Sequence, residues 1–460
     1  MITPHAASKS TDPSGTGDST DRWGVLARLF AFLDRERINY AVLGDTRKVL
    51  EARDGDVDIV VSPATLRLLP KLLVRFSVMV DARLVQSIRH ESTAYFFVLA
   101  WQGPDHRTSL LQIDVCSDYR RNGRTLIGAD ILLHGAQRAE LNGTTFRVPS
   151  AMSGLAYYLV KKIEKDELNA EHASMLREIA EGCSVDDSRQ LLDELFGREG
   201  LAIIGPTLET GRWESLAPHL ATLQKLLHAR RPVSRASLAY EVRRRTHRII
   251  RQTGFHVVVY GPDGVGKSAV IEGLREGLEL AFWGTNYFHL RPRLGNRGAH
   301  GGAPTVDPHG LEPRSAVTSL LKLVYYAADY GIGYYSTIKP LLLRSRLVVF
   351  DRYYHDLLVD PRRYRYGGSL ALARVVGWFV PRPNLYLFLD APTEVIRARK
   401  TEVAEAETSR QLKEYRQLAR TLRSSVVIDA SHPLPIVVGE SIDAVLDKMA
   451  ERAERRYWLR

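Results

Sequence analysis

A short β-branched run, a glycine-punctuated turn and the opening of a helix follow one another at residues 255–274, and few folds accommodate that order. Phe255-His256-Val257-Val258-Val259-Tyr260 has the pattern of a buried parallel strand. Gly261-Pro262-Asp263-Gly264-Val265-Gly266 is the turn, and Lys267-Ser268 opens a helix reading Ala269-Val270-Ile271-Glu272-Gly273-Leu274. The spacing Gly261-x-x-x-x-Gly266-Lys267-Ser268 is the P-loop pattern, in the strand-to-helix context that it demands. Its physics is simple. Glycines let backbone N–H groups turn inward around phosphate oxygens. The helix N-terminus adds partial positive charge. Lys267 brings a full charge for the β and γ phosphates, and the Ser268 hydroxyl can hold Mg²⁺.

The chain has 460 residues, which predicts two or three domains, and its 45% hydrophobic content is enough for sizeable cores. A net charge of +11 suits anionic partners such as nucleotides or phosphorylated sugars. Cys116 and Cys183 are the two cysteines, far apart. No disulfide framework or cysteine metal site follows, and a reducing, cytoplasmic location is expected. Residues 1–21 read as a disordered tail without the apolar core of a signal peptide. The most apolar stretch, Leu320 to Leu343, is interrupted by Lys322, Asp329 and Lys339, so it is expected as a buried helix and not as a membrane span.

Residues 22–150 form the first expected domain. Trp23 to Leu33 has helical spacing, Asn39 to Leu43 is a short strand ending in Gly44, and Gly55-Asp56-Val57-Asp58-Ile59-Val60-Val61 is a second strand before a helix at Ala64 to Leu73. Strands at Ala94 to Trp101 and Ser109 to Val115 flank the turn Gly103-Pro104-Asp105. Asp56 and Asp58, two apart on a strand, share a face, and Asp114 lies opposite Leu111, Ile113 and Val115. Three carboxylates so placed would bind two hard cations, which can activate an attacking oxygen and stabilise a leaving pyrophosphate. Gly44, the Asp56-x-Asp58 pair and Asp114 resemble the minimal nucleotidyltransferase fold. Asp45 departs from the small residue usual after that glycine, and an acid there would repel a triphosphate.

Residues 151–250 are expected as a helical extension and basic linker. Apolar residues recur at helical spacing from Leu155 to Ile163, Ala173 to Ala180, Ser188 to Leu195 and Leu216 to Leu227. Lys161, Lys162 and Lys165 are candidates to face a nucleotide, or form a solvated helix face. Arg230 to Arg251 is densely basic but lacks interleaved aromatics, so a solvated linker is expected and nucleic acid is not expected as a partner.

Residues 251–460 alternate strand and helix, which predicts a parallel α/β sheet. The strands are Phe255–Tyr260, Thr285–Leu290, Leu347–Asp351, Asn384–Asp390 and Ser425–Asp429, with a closing helix at Ile436 to Ala450. Right-handed crossovers would put every strand C-terminus on one edge. Leu347-Val348-Val349-Phe350-Asp351-Arg352 delivers a carboxylate and an arginine to that edge, where Mg²⁺ is held or an anionic acceptor is gripped at two points.

The P-loop, Asp351-Arg352-Tyr353, the run Leu387-Phe388-Leu389-Asp390-Ala391-Pro392-Thr393-Glu394 and the helix Glu414-Tyr415-Arg416-Gln417-Leu418-Ala419 together resemble thymidylate kinase. The resemblance implies ATP and Mg²⁺ as cofactors and a P-loop NTPase sheet. Gly261, Asp263, Gly264, Val265, Gly266, Lys267 and Ser268 would bind ATP, with Asp263 also touching the acceptor's sugar hydroxyl. Ser268 and Asp351 would hold Mg²⁺. Asp351 and Arg352 would orient the acceptor, while Arg397 and Arg399 would come from a lid and neutralise the transferred phosphoryl. The acceptor region departs from the family: Arg291 and Pro292 survive of its Arg-Glu-Pro-Gly-Gly-Thr stretch, and a long loop, Gly295 to Pro313, follows. Asp360-Pro361-Arg362-Arg363-Tyr364-Arg365-Tyr366-Gly367-Gly368 would clamp a second phosphate or suit a larger phosphorylated acceptor. His300 and His309 in the loop make a weak metal pair without a cysteine.

The expected function is an ATP-dependent kinase of a nucleoside monophosphate or a nucleotide-like sugar phosphate, in a chain that also admits a homodimer. One alternative is a bifunctional enzyme that phosphorylates an acceptor and then attaches a nucleotidyl group at Asp56, Asp58 and Asp114. Another is an ATP-binding regulator without turnover, although a mere switch has no need of the Asp351-Arg352 pair.

Overall fold

The computed structural model describes residues 21–44, 55–103, 107–233, 252–292, 314–400 and 404–457, with 242, 246, 249 and 312 besides. Residues 1–20 of the tail expected at 1–21, Asp45, Asp105, His300 and His309 lie outside the described residues, as do most of the basic run and of the long loop; Asp21 is described and caps the first helix. The chain divides into two compact units, one of Met1–Ala82 and Gln102–Leu238, the other of Arg83–Trp101 and Ala239–Arg460.

In the first unit α1 (Arg22–Arg35) starts where the Asp21 carboxylate accepts from the Gly24 N–H at 2.7 Å, and it buries Val25, Leu26, Leu29, Phe30 and Leu33. Strand β1 (Tyr40–Val42) pairs antiparallel with β2 (Val57–Val61), which α2 (Pro63–Met79) follows. Strands β3 (Arg83–Glu91) and β4 (Ala94–Gln102) form an antiparallel hairpin that counts almost wholly with the second unit. Strand β5 (Thr108–Cys116) runs parallel to β2, with Asp58 directly beside Asp114. Two small hairpins, β6 (Tyr119–Arg121) with β7 (Arg124–Ile127) and β8 (Gln137–Leu141) with β9 (Thr144–Val148), are separated by the short α3 (Ala129–Leu133). Helices α4 (Ala151–Lys165), α5 (Ala170–Glu181), α6 (Val185–Thr210) and α7 (Leu220–Arg230) close one core around Leu159, Leu195, Trp213 and Leu223, which reaches Ala41 and Val60 of the strands.

The second unit is a five-stranded parallel sheet in the order β11-β12-β10-β13-β14. Its central strand β10 (Phe255–Tyr260) is buried at every residue, and each of its Phe and Val side chains contributes about 1.5–3 kcal/mol. The β-branched sequence suits a strand covered on both faces. Helix α8 (Lys267–Gly277) follows, then the edge strand β11 (Thr285–His289). Helix α9 (Ala316–Gly333), a π-helical turn at Tyr334–Ile338 and α10 (Lys339–Leu343) lead into β12 (Leu347–Asp351). Next come α11 (Asp356–Val359), α12 (Leu370–Gly377), β13 (Leu385–Asp390), α13 (Thr393–Arg399), α14 (Glu405–Thr421), β14 (Ser425–Asp429) and α15 (Leu434–Tyr457). Because β12 and β13 flank β10 on opposite sides, the chain reverses direction across the sheet at β10, and ligands of such sheets bind at that point.

Gly273 and Gly277 let α15 settle on α8: a Cβ on Gly273 would lie 2.4 Å from Val438 Cγ1, and one on Gly277 2.4 Å from Ile442 Cδ1. The expectation of a fully buried helix at Leu320–Leu343 is corrected. Leu323, Tyr326 and Tyr330 are buried, but Leu320, Leu321, Val324 and Tyr335 are exposed, because only one face of α9 meets the sheet. No helix among the described residues is long and apolar enough to cross a membrane.

Candidate active site and a second acidic cluster

The turn after β10 is built by three glycines with positive φ: Gly261 at 151°, Gly264 at 87° and Gly266 at 109°. Gly264 also lies close under α13, where a Cβ would meet Lys400 Cβ at 2.9 Å. Gly266 is the N-cap of α8, and no side chain caps it, in contrast to Ser62, Ser150, Ser315 and Ser369 at other helices. The first N–H groups of α8 are therefore not satisfied by a capping side chain and suit an anion. Lys267 Nζ donates to the carbonyls of Gly261 at 3.0 Å and Pro262 at 2.8 Å, and lies 3.4 Å from Asp263 Oδ1. Burial, with Arg352 nearby, pulls its ammonium down to about 8.

Asp351 ends β12 beside Val259 of β10, which places the Asp-Arg pair next to the glycine turn. Its Oδ2 lies 3.5 Å from the Tyr287 hydroxyl and from His289 Nδ1, while its buried Oδ1 takes no hydrogen bond among the described residues. Burial would raise this carboxyl, but the bond with His289 and the charges of Lys267 and Arg352 hold it below its usual value.

The expectation that Arg352 faces an open cleft is corrected. Its backbone has φ 65° and its side chain is 4% exposed. One nitrogen donates to Asp263 Oδ1, and Nε lies 3.3 Å from Asp356 Oδ2. Asp356 is fully buried and also accepts from the hydroxyls of Tyr364, at 2.6 Å, and Tyr415. Burial opposes the Arg352 charge, but Asp356 and Asp263 more than restore it. Arg363 donates to Asp263 Oδ2 at 2.9 Å. Burial would raise the Asp263 carboxyl, yet Arg352, Lys267 and Arg363 hold it well below the usual carboxylate range. Asp356 is a site residue that sequence reasoning did not assign, while Arg363, expected in a cluster for a phosphorylated acceptor, lies against Asp263. The Arg352–Asp356 spacing of four was the available signal.

Of the two arginines expected from a lid, Arg399 reaches the Val265 carbonyl at 3.3 Å, while Arg397 pairs with Glu405. Ser268, one residue into α8, is exposed. Arg291 pairs with the buried Asp329 at 3.3 Å and sits over the Tyr325 and Tyr326 rings.

The first unit holds a separate cluster. Ligand oxygens of Asp56, Asp58 and Asp114 all lie within 4.8 Å of one another, because β2 and β5 pair in a register that sets Asp58 beside Asp114. Lys161 of α4, which sequence left open as a solvated residue, bonds Asp58 Oδ2 at 3.2 Å and the Tyr157 hydroxyl at 3.2 Å. Burial raises the Asp58 carboxyl, Lys161 partly offsets it, and Asp56 adds to the rise.

A parallel sheet with a glycine turn, a buried lysine and a strand-end Asp-Arg pair at one edge has the architecture of a P-loop kinase, a class of phosphotransferase. No protein-family model matches the chain. It is 31% identical over 219 residues to the thymidylate kinase of Pseudomonas fluorescens strain Pf-5, covering 44% of this chain and 99% of that protein. It is 29% identical over 212 residues to the thymidylate kinase of Xanthomonas campestris pv. campestris strain B100, covering 43% of this chain and 86% of the relative. The chain belongs to the thymidylate kinase family through this part of its length.

Proposed function

We propose that the second unit is an ATP- and Mg²⁺-dependent kinase of a nucleoside monophosphate or a related sugar phosphate. The observation that carries this reading is the pairing of the α8 N-terminus, uncapped by any side chain, with the buried, unbonded Oδ1 of Asp351 on the neighbouring strand. Both ask for a partner, one anionic and one cationic, and a metal-bound phosphate chain supplies both. The residues thus fit the group. Gly261 to Ser268 would hold the ATP phosphates, and Ser268 with Asp351 would hold Mg²⁺, which supplies charge neutralisation. Lys267 would leave its two loop carbonyls for the phosphates. Arg352 fixes Asp263, whose carboxylate would orient the acceptor, and Arg399, already at the loop carbonyl of Val265, would face the transferred group with Arg397. Phosphoryl transfer of this kind rests on positioning and electrostatics.

The test is ADP release from ATP across a panel of nucleoside and sugar monophosphates, thymidylate included. Lys267→Ala should lower turnover at least about 100-fold, as expected on losing a transition-state charge partner. A variant that turns over like wild type would place the chemistry elsewhere.

The convergence of Asp56, Asp58 and Asp114 supports a second activity beside the first, metal-dependent nucleotidyl transfer in the first unit. Its readout is pyrophosphate release from nucleoside triphosphates, and none across the common four would remove it.

A further inference from the structure

A cavity of about 360 Å³ opens between α12 and α14 in the second unit. Two of its wall residues, Arg382 and Arg423, immediately precede β13 and β14, whereas the glycine turn follows the other end of β10. In a parallel sheet this puts the cavity at the edge opposite the P-loop. Arg374 of α12 is the third arginine in the wall. None of these three guanidinium groups has a hydrogen-bond or ion-pair partner among the described residues. Glu414 is the one acid of the lining, so the arginines leave two positive charges in excess. His355, also in the wall, adds none near neutral pH, because burial and the nearby Arg382 hold it down to about 4. Trp378 lines the mouth at 71% exposure, with no ring partner among the described residues.

Each of these properties selects a ligand. The volume is that of a small-molecule site. Two excess positive charges on planar guanidinium groups match a phosphomonoester dianion. An exposed indole at the rim offers a stacking face to a flat ring. We propose that this cavity is a second ligand site, taking a nucleoside monophosphate with its phosphate among Arg374, Arg382 and Arg423 and its base against Trp378. It is distinct from the acceptor position at the P-loop edge and does not depend on the kinase reading.

The full chain, saturated with a non-hydrolysable ATP analogue, is titrated calorimetrically with the five common nucleoside 5′-monophosphates and separately with inorganic phosphate. For at least one nucleotide, wild type should bind one equivalent more than Arg382→Ala/Arg423→Ala, or bind it at least about ten-fold more tightly. Trp378→Ala should weaken that nucleotide. Equal stoichiometry and affinity in wild type and the arginine variant, for all five, overturns the site. Inorganic phosphate binding as tightly as the nucleotide overturns the assignment of a nucleotide. Both arginines are exposed, so folding of the variant is checked by an unchanged melting temperature. Absence of ADP release by wild type would sink the kinase reading while leaving this result to stand or fall alone.

Discussion

Replacing Asp356 by Asn tests whether the buried charge network, and not the glycine turn alone, holds the P-loop edge together. Asp356 is fully buried, accepts from two tyrosine hydroxyls and faces the Arg352 guanidinium, itself 4% exposed. Asn keeps the volume and one acceptor oxygen but removes the charge. Arg352 would then rely on Asp263 alone, which Lys267 and Arg363 already share. Breaking one side of a buried ion pair costs about 3–5 kcal/mol, and the surviving Asp263 contact places this case at the low end, about 3 kcal/mol. In a unit of this size that corresponds to a melting temperature lower by about 6–12 °C. Differential scanning calorimetry of the full chain should show this loss, and Arg352→Met/Asp356→Asn should recover part of it by removing the stranded cation. A fall of less than about 2 °C, or a double variant worse than the sum of the single ones, would refute the reasoning.

Lys267, pulled from its ordinary 10.5 to about 8, is charged below that pH and neutral above it, so kcat/KM for ATP should fall as pH rises through about 8. The same group should make the fold more stable from about pH 8 to 10.5, since the unfolded chain there binds the proton that the folded one has released; a flat rate profile would contradict the assignment. Asp56→Asn/Asp58→Asn should leave ADP release within about two-fold of wild type, the scale of an uninvolved surface change, while abolishing any metal-dependent pyrophosphate release. Gly273→Ala should destabilise by about 1–3 kcal/mol in urea unfolding despite the better helix propensity of alanine, because its Cβ would meet Val438 Cγ1 at 2.4 Å; a gain in stability would show that α15 can shift outward.

Much of this architecture is legible in the sequence where burial is symmetric. The three inner strands of the parallel sheet, β12, β10 and β13, are short apolar runs covered on both faces, so composition alone marks them, whereas the edge strands β11 and β14 are half-exposed. Asp56, Asp58 and Asp114 could be brought together because strand periodicity fixes their faces. Strand β3 was missed because Arg83-Leu84-Val85-Gln86-Ser87-Ile88-Arg89 carries polar groups whose partners are distant in sequence: Arg83 pairs with Asp443 at 2.6 Å, and Gln86 donates to the carbonyls of Thr253 and Ala281. The inward turn of Arg352 was equally hidden. Position at a strand end suggests exposure, and only the left-handed backbone at that residue, with Asp263 waiting across the turn, draws it inside.

The β3–β4 hairpin has a consequence for anyone who would handle the kinase part as a separate gene fragment. A fragment beginning at 239 would leave behind Arg83, which joins Asp443 and Asp447 of α15, Gln86, which answers two carbonyls, and Ser87, 2.9 Å from the Tyr457 hydroxyl. Asp443, Asp447 and Tyr457 of α15, the helix that packs on α8, would then meet solvent, as would the carbonyls of Thr253 and Ala281. Contiguity on the map and wholeness in space part company here: a cut that respects reading order removes these contacts, and a shuffled gene in which 83–101 is carried by a new linker keeps them.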